Sequence, residues 1–292
     1  MKTVLITGAT GFLGHAIVNE LLQNEELMLI AIGGRPEDRA APLPDNPRLK
    51  PYILEDLFIH DFQDIDTVIN CAFARSNDVT LLTKALDFTE MLIGRLIKLK
   101  VRSVINISSQ GVYKRLPAGS MSAEDSPIEP IDLYSLAKYA TEKMFHVSTI
   151  PYVTNIRMAS LMMPQRFLYY FVQMALKRET FTVTAPNQYA SLLDISDAAS
   201  GVAAITELDS RKRSVTYNLG TGKQYSLLQY AEGVKEVGGR LGYSVSFNTV
   251  DNSICSCAGM DISRLVQDTG WRPRVFKDEM ILKLYRTLGS DI

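Results

Sequence analysis

The chain has 292 residues, of which 46% are hydrophobic, and a formal net charge of −1. That charge gives no electrostatic reason to expect a nucleic acid or an anionic membrane as partner. No run of about 18 apolar residues predicts a membrane span, and the first residues do not form a signal peptide. Cys71, Cys255 and Cys257 lack metal-ligand spacing and fit the reduced thiols of a cytoplasmic protein better than disulfides.

The first fourteen residues, MKTVLITGATGFLG, predict a strand that turns into a helix. The uncharged apolar run at 4–6 is typical of a strand buried on both faces. It is followed by Gly8, Gly11 and Gly14, in the pattern G-x-x-G-x-x-G, and then by an amphipathic stretch. Such glycines permit a tight turn, close approach of a pyrophosphate and close helix packing, and the N–H groups of the helix start favour phosphate. A loop of ordinary tight turns would also explain the glycines, but their position favours a dinucleotide site.

The second predicted strand, residues 27–32, ends in Gly33, Gly34 and Arg35. A dinucleotide fold that prefers NAD usually has an acidic side chain here, which binds the ribose 2′-hydroxyl. The chain lacks that carboxylate, and Arg35 is placed to pair with the 2′-phosphate of NADP. The alternative is that Arg35 is a solvated loop residue. The sequence therefore favours NADP slightly over NAD.

Further strands alternate with helices along the chain. Apolar runs predict strands at 51–54, 67–72 and 103–107, and helical spacing predicts a helix over 78–100. This alternation is typical of an α/β fold with a doubly wound parallel sheet. Ligands bind such sheets outside the carboxyl ends of the strands, which is where Ser109 lies.

A tyrosine and a lysine open the next predicted helix, residues 134–147. Tyr134 and Lys138 are four residues apart, so they share one helix face. A free tyrosine titrates near pH ~10, and a neighbouring cation favours its anion, which suits acid/base chemistry near neutrality. Ser109 is placed to hydrogen-bond the same substrate oxygen. A surface Tyr–Lys pair is the alternative, but the preceding glycine-rich loop and strand-ending serine favour catalysis.

Together these motifs resemble the extended short-chain dehydrogenase/reductase family, the NAD-dependent epimerase/dehydratases. The resemblance implies a Rossmann-type domain that binds NAD or NADP and, in most members, a nucleotide-linked sugar as substrate. It implies that Ser109, Tyr134 and Lys138 are catalytic and that Lys138 also binds the ribose. Together with Arg35, the expected cofactor-binding residues are Gly8, Thr10, Gly11, Phe12, Leu13, Gly14, Asp56, Leu57, Cys71, Ala72, Phe73, Tyr134 and Lys138.

The resemblance also assigns positions to parts of the cofactor. Asp56 and Leu57 match the pair that meets the adenine, and residues 71–73 match a small segment that lies under the cofactor. Beyond Lys138 the resemblance is looser and implies a substrate lobe that is discontinuous in sequence. The expected division is a Rossmann-type domain at 1–162 and 191–220 and a smaller substrate-binding lobe at 163–190 and 221–292.

Departures from the family pattern narrow the expected chemistry. Dehydratases of the family have Asp-Glu directly after the catalytic hydroxyl residue, whereas this chain has Gln110-Gly111, so 4,6-dehydration is not expected. Residues 158–163, MASLMM, replace the family's Asn-x-Tyr-Gly, and the arginine that often precedes the Asp194 strand in UDP-sugar epimerases is missing. We therefore expect a substrate lobe that differs from the usual one of the family. The methionines fit a pliable substrate wall or core packing, and core packing is favoured.

Two classes of function remain open. The first is an NAD(P)-dependent epimerase or keto-reductase that moves a hydride between the nicotinamide and a carbinol carbon of a nucleotide sugar, or of a non-sugar carbonyl substrate. The second is a catalytically silent NAD(P)-sensing or scaffold protein. The presence of Ser109, Tyr134 and Lys138 together favours an enzyme. Its expected partners are a small-molecule substrate and a second copy in a homodimer, with no nucleic acid and no membrane.

Overall fold

The computed structural model of the protein describes residues 1–34, 42–117, 119–164, 166–251 and 259–290. Its strands are β1 (Lys2–Thr7), β2 (Leu27–Gly33), β3 (Leu49–Ile53), β4 (Thr67–Asn70), β5 (Ser103–Ser109), β6 (Met121–Ser122), β7 (Tyr152–Met158), β8 (Ser160–Leu161), β9 (Phe181–Thr184), β10 (Tyr189–Ala190), β11 (Leu192–Leu193), β12 (Thr216–Leu219), β13 (Tyr225–Ser226), β14 (Phe247–Val250) and β15 (Gly259–Met260). Its α-helices are α1 (Phe12–Leu21), α2 (Asp56–Ile59), α3 (Val79–Lys98), α4 (Leu133–His146), α5 (Phe167–Leu176), α6 (Ile195–Glu207), α7 (Leu227–Arg240), α8 (Ser263–Thr269) and α9 (Lys277–Gly289).

The longer strands form one parallel sheet in the order β12-β7-β5-β4-β1-β2-β3. This order confirms the predicted doubly wound α/β fold. The chain builds outward from β1 in one direction and then, from β4, in the other. A crevice therefore opens beyond the carboxyl ends of β1 and β4, where folds of this kind bind ligands.

Two apolar clusters cover the two faces of the sheet. On one face α1 and α6 bury residues such as Ile17 and Val202. On the other face α2, α3 and α4 bury residues such as Leu57, Leu92 and Phe145. Because each helix presents an apolar stripe to the sheet and a polar face to water, the strands are buried on both faces, as their uncharged runs predict.

A third apolar cluster lies beyond the sheet and joins α5, α7 and α9. The rings of Phe171 and Phe181 stack within it with their centroids 4.5 Å apart. α8 packs elsewhere, since Leu265 is buried in the cluster on the main sheet. Met158 and Met162 are buried, as core packing requires, whereas Met163 is only half-buried.

Some element boundaries differ from the predicted ones. The helix expected from Tyr134 begins at Leu133, because the Asp132 carboxylate caps it by accepting a hydrogen bond from the Ser135 N–H at 2.7 Å. The short helix α2, which follows β3, was not predicted from the sequence. None of the helices in the described part of the chain is both long and apolar enough to cross a membrane.

Candidate functional site

The glycine-rich loop joins β1 to α1 at the carboxyl edge of the sheet. Gly8 has φ +68°, and a Cβ atom there would lie 2.8 Å from the backbone nitrogen of Ala72. A Cβ atom on Gly14 would lie 2.1 Å from the carbonyl oxygen of Gly8. Gly11 caps α1 without a side chain, so the first N–H groups of the helix have no side-chain acceptor there. The loop therefore forms a close-packed cradle that suits a pyrophosphate.

This packing gives a direct test of the cradle. Gly14→Ala should weaken NAD(H) binding by about tenfold, because the added methyl group must displace backbone at a cost of roughly 1–3 kcal/mol. Fluorescence titration of NADH and NADPH measures the loss. Gly94→Ala is the matched control, since nothing lies within 4 Å of a Cβ atom at that position on α3. Equal cofactor affinity in the two variants would contradict the proposed cradle.

At the end of β2, the glycine loop fills the space that an acidic side chain would need. The Thr10 hydroxyl accepts a hydrogen bond from the Gly34 N–H at 3.1 Å. A Cβ atom on Gly33 would lie 2.3 Å from Cγ2 of Thr10. The Thr10 side chain thus occupies the space that a carboxylate-bearing side chain at position 33 would need. Arg35 lies outside the described residues.

The predicted adenine pair follows β3, and its two members are placed differently. Asp56 accepts a hydrogen bond from the Ile53 N–H at 3.1 Å, which closes the turn before α2. Leu57 is completely buried in the core, so its side chain lies behind the surface of the expected adenine site. At the start of α1, Phe12 is exposed and Leu13 half-buried, so both are accessible to a ligand.

The segment after β4 contacts helix α4, which carries Tyr134 and Lys138. The Lys138 ammonium lies 4.2 Å from the centroid of the Phe73 ring and donates a hydrogen bond to the Ile107 carbonyl at 2.6 Å. The ring of Phe73 also meets that of Tyr134 edge-on at 6.0 Å. Burial lowers the pKa of Lys138 to about 8 and raises that of the nearby Cys71 thiol to about 12.

Ser109 and Tyr134 line the same cavity of about 700 Å³ beside the carboxyl edge of the sheet. The Ser109 hydroxyl accepts a hydrogen bond from the Gly111 N–H at 3.1 Å. Ser108 is buried instead and donates a hydrogen bond to Glu142 at 2.5 Å. Gln110 also lines the cavity, and its amide donates to the Ser160 hydroxyl at 3.0 Å. An amide therefore stands where the family's dehydratases have a carboxylate.

Burial raises the pKa of Tyr134 above its ordinary value, and the nearby charges partly oppose this effect. Arg75 and Arg166 favour the phenolate, whereas Asp132 disfavours it. The expectation that Lys138 gives Tyr134 a lowered pKa is therefore wrong for this structure. Its buried ammonium is bound to the Ile107 carbonyl, and the cations that act on the phenol are the two arginines.

A buried ion pair fixes helix α4 on the sheet. Glu142 lies one turn beyond Lys138 on α4 and receives two hydrogen bonds from the Arg157 guanidinium of β7, at 3.0 and 2.8 Å. Its third bond comes from Ser108 at the end of β5. Since all three side chains are buried, this network holds α4 in register with the strand that carries Ser109.

Sequence reasoning missed two of the arginines that line the cavity, Arg75 and Arg166. Arg75 follows the small segment after β4, and Arg166 precedes α5. A basic residue shortly after an expected cofactor-binding segment could have indicated that Arg75 belongs to the site. For Arg166 the sequence carries no comparable signal, because its position depends on how the lobe folds over the sheet.

Comparison with known proteins places these features in context. The sequence model described as the NAD dependent epimerase/dehydratase family matches residues 4–220. Among curated proteins, the chain is 23% identical over 296 residues to UDP-glucuronic acid decarboxylase 6 of Arabidopsis thaliana, covering 93% of this chain and 84% of the relative.

Solved structures show the same fold. The chain is similar to UDP-N-acetylglucosamine 4-epimerase from Bacillus cereus, with a TM-score of 0.82, 19% identity and coverage of 99% of this chain and 100% of the other. It is also similar to UDP-glucuronic acid 4-epimerase from Bacillus cereus in complex with UDP-glucuronic acid and NAD, with a TM-score of 0.80, 22% identity and the same coverage. At these identities the likeness is one of fold.

Proposed function

The chain belongs to the NAD dependent epimerase/dehydratase family, and from that membership and the site we propose that it is an NAD(P)-dependent epimerase or keto-reductase of a nucleotide-linked sugar. The observation that carries the proposal is the meeting of Ser109 and Tyr134 in one cavity beside the glycine-rich cradle. The cradle fits a dinucleotide because Gly8 and Gly14 let the backbone pack closely where no Cβ atom has room, and Gly11 leaves the first N–H groups of α1 without a side-chain acceptor. The Bacillus cereus neighbour with bound NAD and a UDP-sugar supports both ligand classes.

In the proposed mechanism the chain's side chains bind the substrate carbinol and move its proton. Tyr134 takes the proton of the hydroxyl during oxidation and returns it during reduction, while Ser109 hydrogen-bonds the same oxygen. Bound NAD(P) would supply hydride transfer. Lys138 would hold the ribose, and its charge would be compensated by the Ile107 carbonyl and the face of Phe73. With Gln110 instead of a carboxylate, the site has no acidic group there to remove water from the sugar.

The redox state of cofactor that co-purifies with the protein discriminates between the candidate activities. An epimerase recycles its cofactor, so tightly retained NAD(H) together with interconversion of two nucleotide sugars supports epimerisation. Freely exchangeable NADPH that is consumed with a keto-sugar nucleotide supports a reductase, and consumption only with a non-sugar carbonyl supports that alternative. Cofactor binding without turnover of any nucleotide sugar or carbonyl would instead indicate a catalytically silent sensor.

The cofactor preference is also part of the proposal. With Thr10 packed against Gly33 and no carboxylate for the 2′-hydroxyl, NADP(H) should bind at least as well as NAD(H). In this proposal Arg35 would pair with a 2′-phosphate, and such a charge-assisted contact is about twice as strong as a neutral hydrogen bond. Gly33→Asp requires room, so the test combines Thr10→Gly, Gly33→Asp and Arg35→Ala, which should shift the preference about tenfold or more towards NAD(H).

Competitive titration of both cofactors measures that shift, with Thr10→Gly alone as the control for loss of the side chain. A wild-type protein that already prefers NAD(H) by tenfold would make Arg35 a solvated loop residue. The case for a reductase would then lose its main support.

The protein is proposed to act in the cytoplasm as a homodimer. Each protomer would consist of a Rossmann-type domain and a substrate lobe. Exposed apolar side chains on α3 and α4, among them Met91 and Leu136, support packing of a second copy there. The free thiol of Cys71 fits a reducing compartment. The separate apolar cluster of α5, α7 and α9 supports the proposed substrate lobe at 163–190 and 221–292, with α8 packed on the main domain.

A further inference from the structure

The cavity beside Tyr134 is lined by more basic than acidic side chains. Its cations are Arg75, Lys114, Arg115 and Arg166, and its carboxylate is Asp132. Asp132 is engaged as the cap of α4. Lys114 is paired with Glu129 at 3.3 Å. Arg115 also has an interaction partner in the described structure. The cations that remain to be explained are therefore Arg75 and Arg166.

Neither of these two guanidinium groups has an acidic partner in the part of the chain that the structure describes. The Nε atom of Arg166 is buried and has no hydrogen-bond partner among the described residues. Arg75 donates to the sulfur of Met163, which is a weak acceptor. A buried donor without a partner is costly, so its retention points to an acceptor that the polypeptide does not supply.

The two arginines are also close enough to repel each other. Burial, followed by the positive charge of Arg75, lowers the pKa of Arg166. Both charges act on the phenol of Tyr134, and both side chains line the same cavity as that phenol. Two neighbouring like charges without a counter-ion favour binding of an anion between them.

Building on the function proposed above, we infer that Arg75 and Arg166 bind a carboxylate carried by the sugar ring of the substrate, next to the carbinol that Tyr134 deprotonates. The substrate class is therefore a nucleotide-linked uronic acid. The other anion of a nucleotide sugar is its diphosphate, which is attached at the anomeric carbon. When the reacting carbinol is at ring position 4, the carbon that bears the carboxylate is its neighbour, whereas the carbon that bears the diphosphate lies across the ring. For reaction at that carbon the carboxylate therefore fits the position of the two arginines better.

The test uses pairs of nucleotide sugars that differ only in this carboxylate. Binding of UDP-glucuronate and UDP-glucose, and of GDP-mannuronate and GDP-mannose, is measured by calorimetry with the NAD(H)-loaded protein. The wild type should bind the uronate of one pair at least tenfold more tightly than its neutral partner. Arg166→Met should remove roughly tenfold to a hundredfold of that preference while binding the neutral sugar as before.

Three further variants make the result specific. Arg166→Lys keeps the charge and should retain part of the preference. Lys114→Met removes a cation of the same cavity that is already paired with Glu129, and it should leave the preference unchanged. Arg75→Met alters an exposed side chain and should lower the preference even if Arg166→Met fails to fold, which melting temperature and NADH affinity reveal.

Each contrary outcome has its own signature. Equal wild-type affinity for the two members in both pairs, with binding of at least one pair, would overturn the inference and leave the proposed function intact. Equal weakening of both members by Arg166→Met would place the diphosphate, not a carboxylate, at the arginines and would also overturn it. Failure of every nucleotide sugar to bind the cofactor-loaded protein would overturn the proposed function together with the inference.

Discussion

Replacement of Tyr134 by phenylalanine is expected to lower turnover by about 10²–10⁴-fold and to leave NAD(H) binding nearly unchanged. The change removes the hydroxyl that would transfer the proton, but it keeps the ring that meets Phe73 edge-on. It also keeps the backbone N–H that donates to the Asn77 side chain at 2.9 Å. The measurement is steady-state turnover at saturating substrate, beside a titration of NADH.

Tyr139→Phe is the matched control, because Tyr139 lies on the same helix and its ring packs under Lys143 away from the cavity. It should leave both turnover and cofactor affinity at wild-type levels. Turnover of Tyr134→Phe within about threefold of the wild type would remove Tyr134 from the mechanism. Loss of NADH binding in that variant would show that the ring, rather than the hydroxyl, is what the site requires.

The fold could be predicted from the sequence because its signals are local. Apolar runs such as residues 4–6 mark strands buried on both faces, and the helical spacing of Leu82, Leu92 and Leu96 marks the face of α3 that packs on the sheet. The lobe gave no comparable signal. Its core forms from segments far apart in sequence, so α5 and α9 acquire their partners only in the folded chain.

The candidate site could likewise be predicted only in part. The glycine loop, Ser109 and Tyr134 lie at strand ends or helix starts, and these positions follow from periodicity alone. The electrostatics of the site could not be predicted in this way. The pKa of Tyr134 depends on burial and on the charges of Arg75 and Arg166, which lie outside its helix. From the sequence, Lys138 was expected to be the cation nearest to the Tyr134 phenol. The i, i+4 spacing shows only that the two residues share a helix face, and it does not show that the ammonium is bound to the Ile107 carbonyl.

Lys138→Met is expected to weaken NAD(H) binding and to lower kcat/KM by at least about 10²-fold, because the ammonium is proposed to hold the ribose and so to orient the cofactor for hydride transfer. Methionine is similar in length and needs no counter-charge, so the variant should still fold, although it leaves the Ile107 carbonyl without its donor. Titration of NADH and steady-state kinetics separate the two effects. Lys143→Met, an exposed change on the same helix, should alter neither. If the rate fell and cofactor affinity did not, the proposed ribose contact of Lys138 would be wrong.

The same variant has a signature in stability that does not depend on any substrate. Burial lowers the folded-state pKa of Lys138 from 10.5 to about 8. Between these two values the unfolded chain holds a proton that the folded chain has released, so the wild type gains stability as pH rises through that window. The methionine variant lacks this group. The free energy of unfolding of the wild type, relative to the variant, should therefore rise by roughly 1–3 kcal/mol between pH 7 and pH 10 in urea titrations. A difference that stays constant over this range would mean that the Lys138 ammonium is solvated, and its buried position against the Ile107 carbonyl and Phe73 would have to be abandoned.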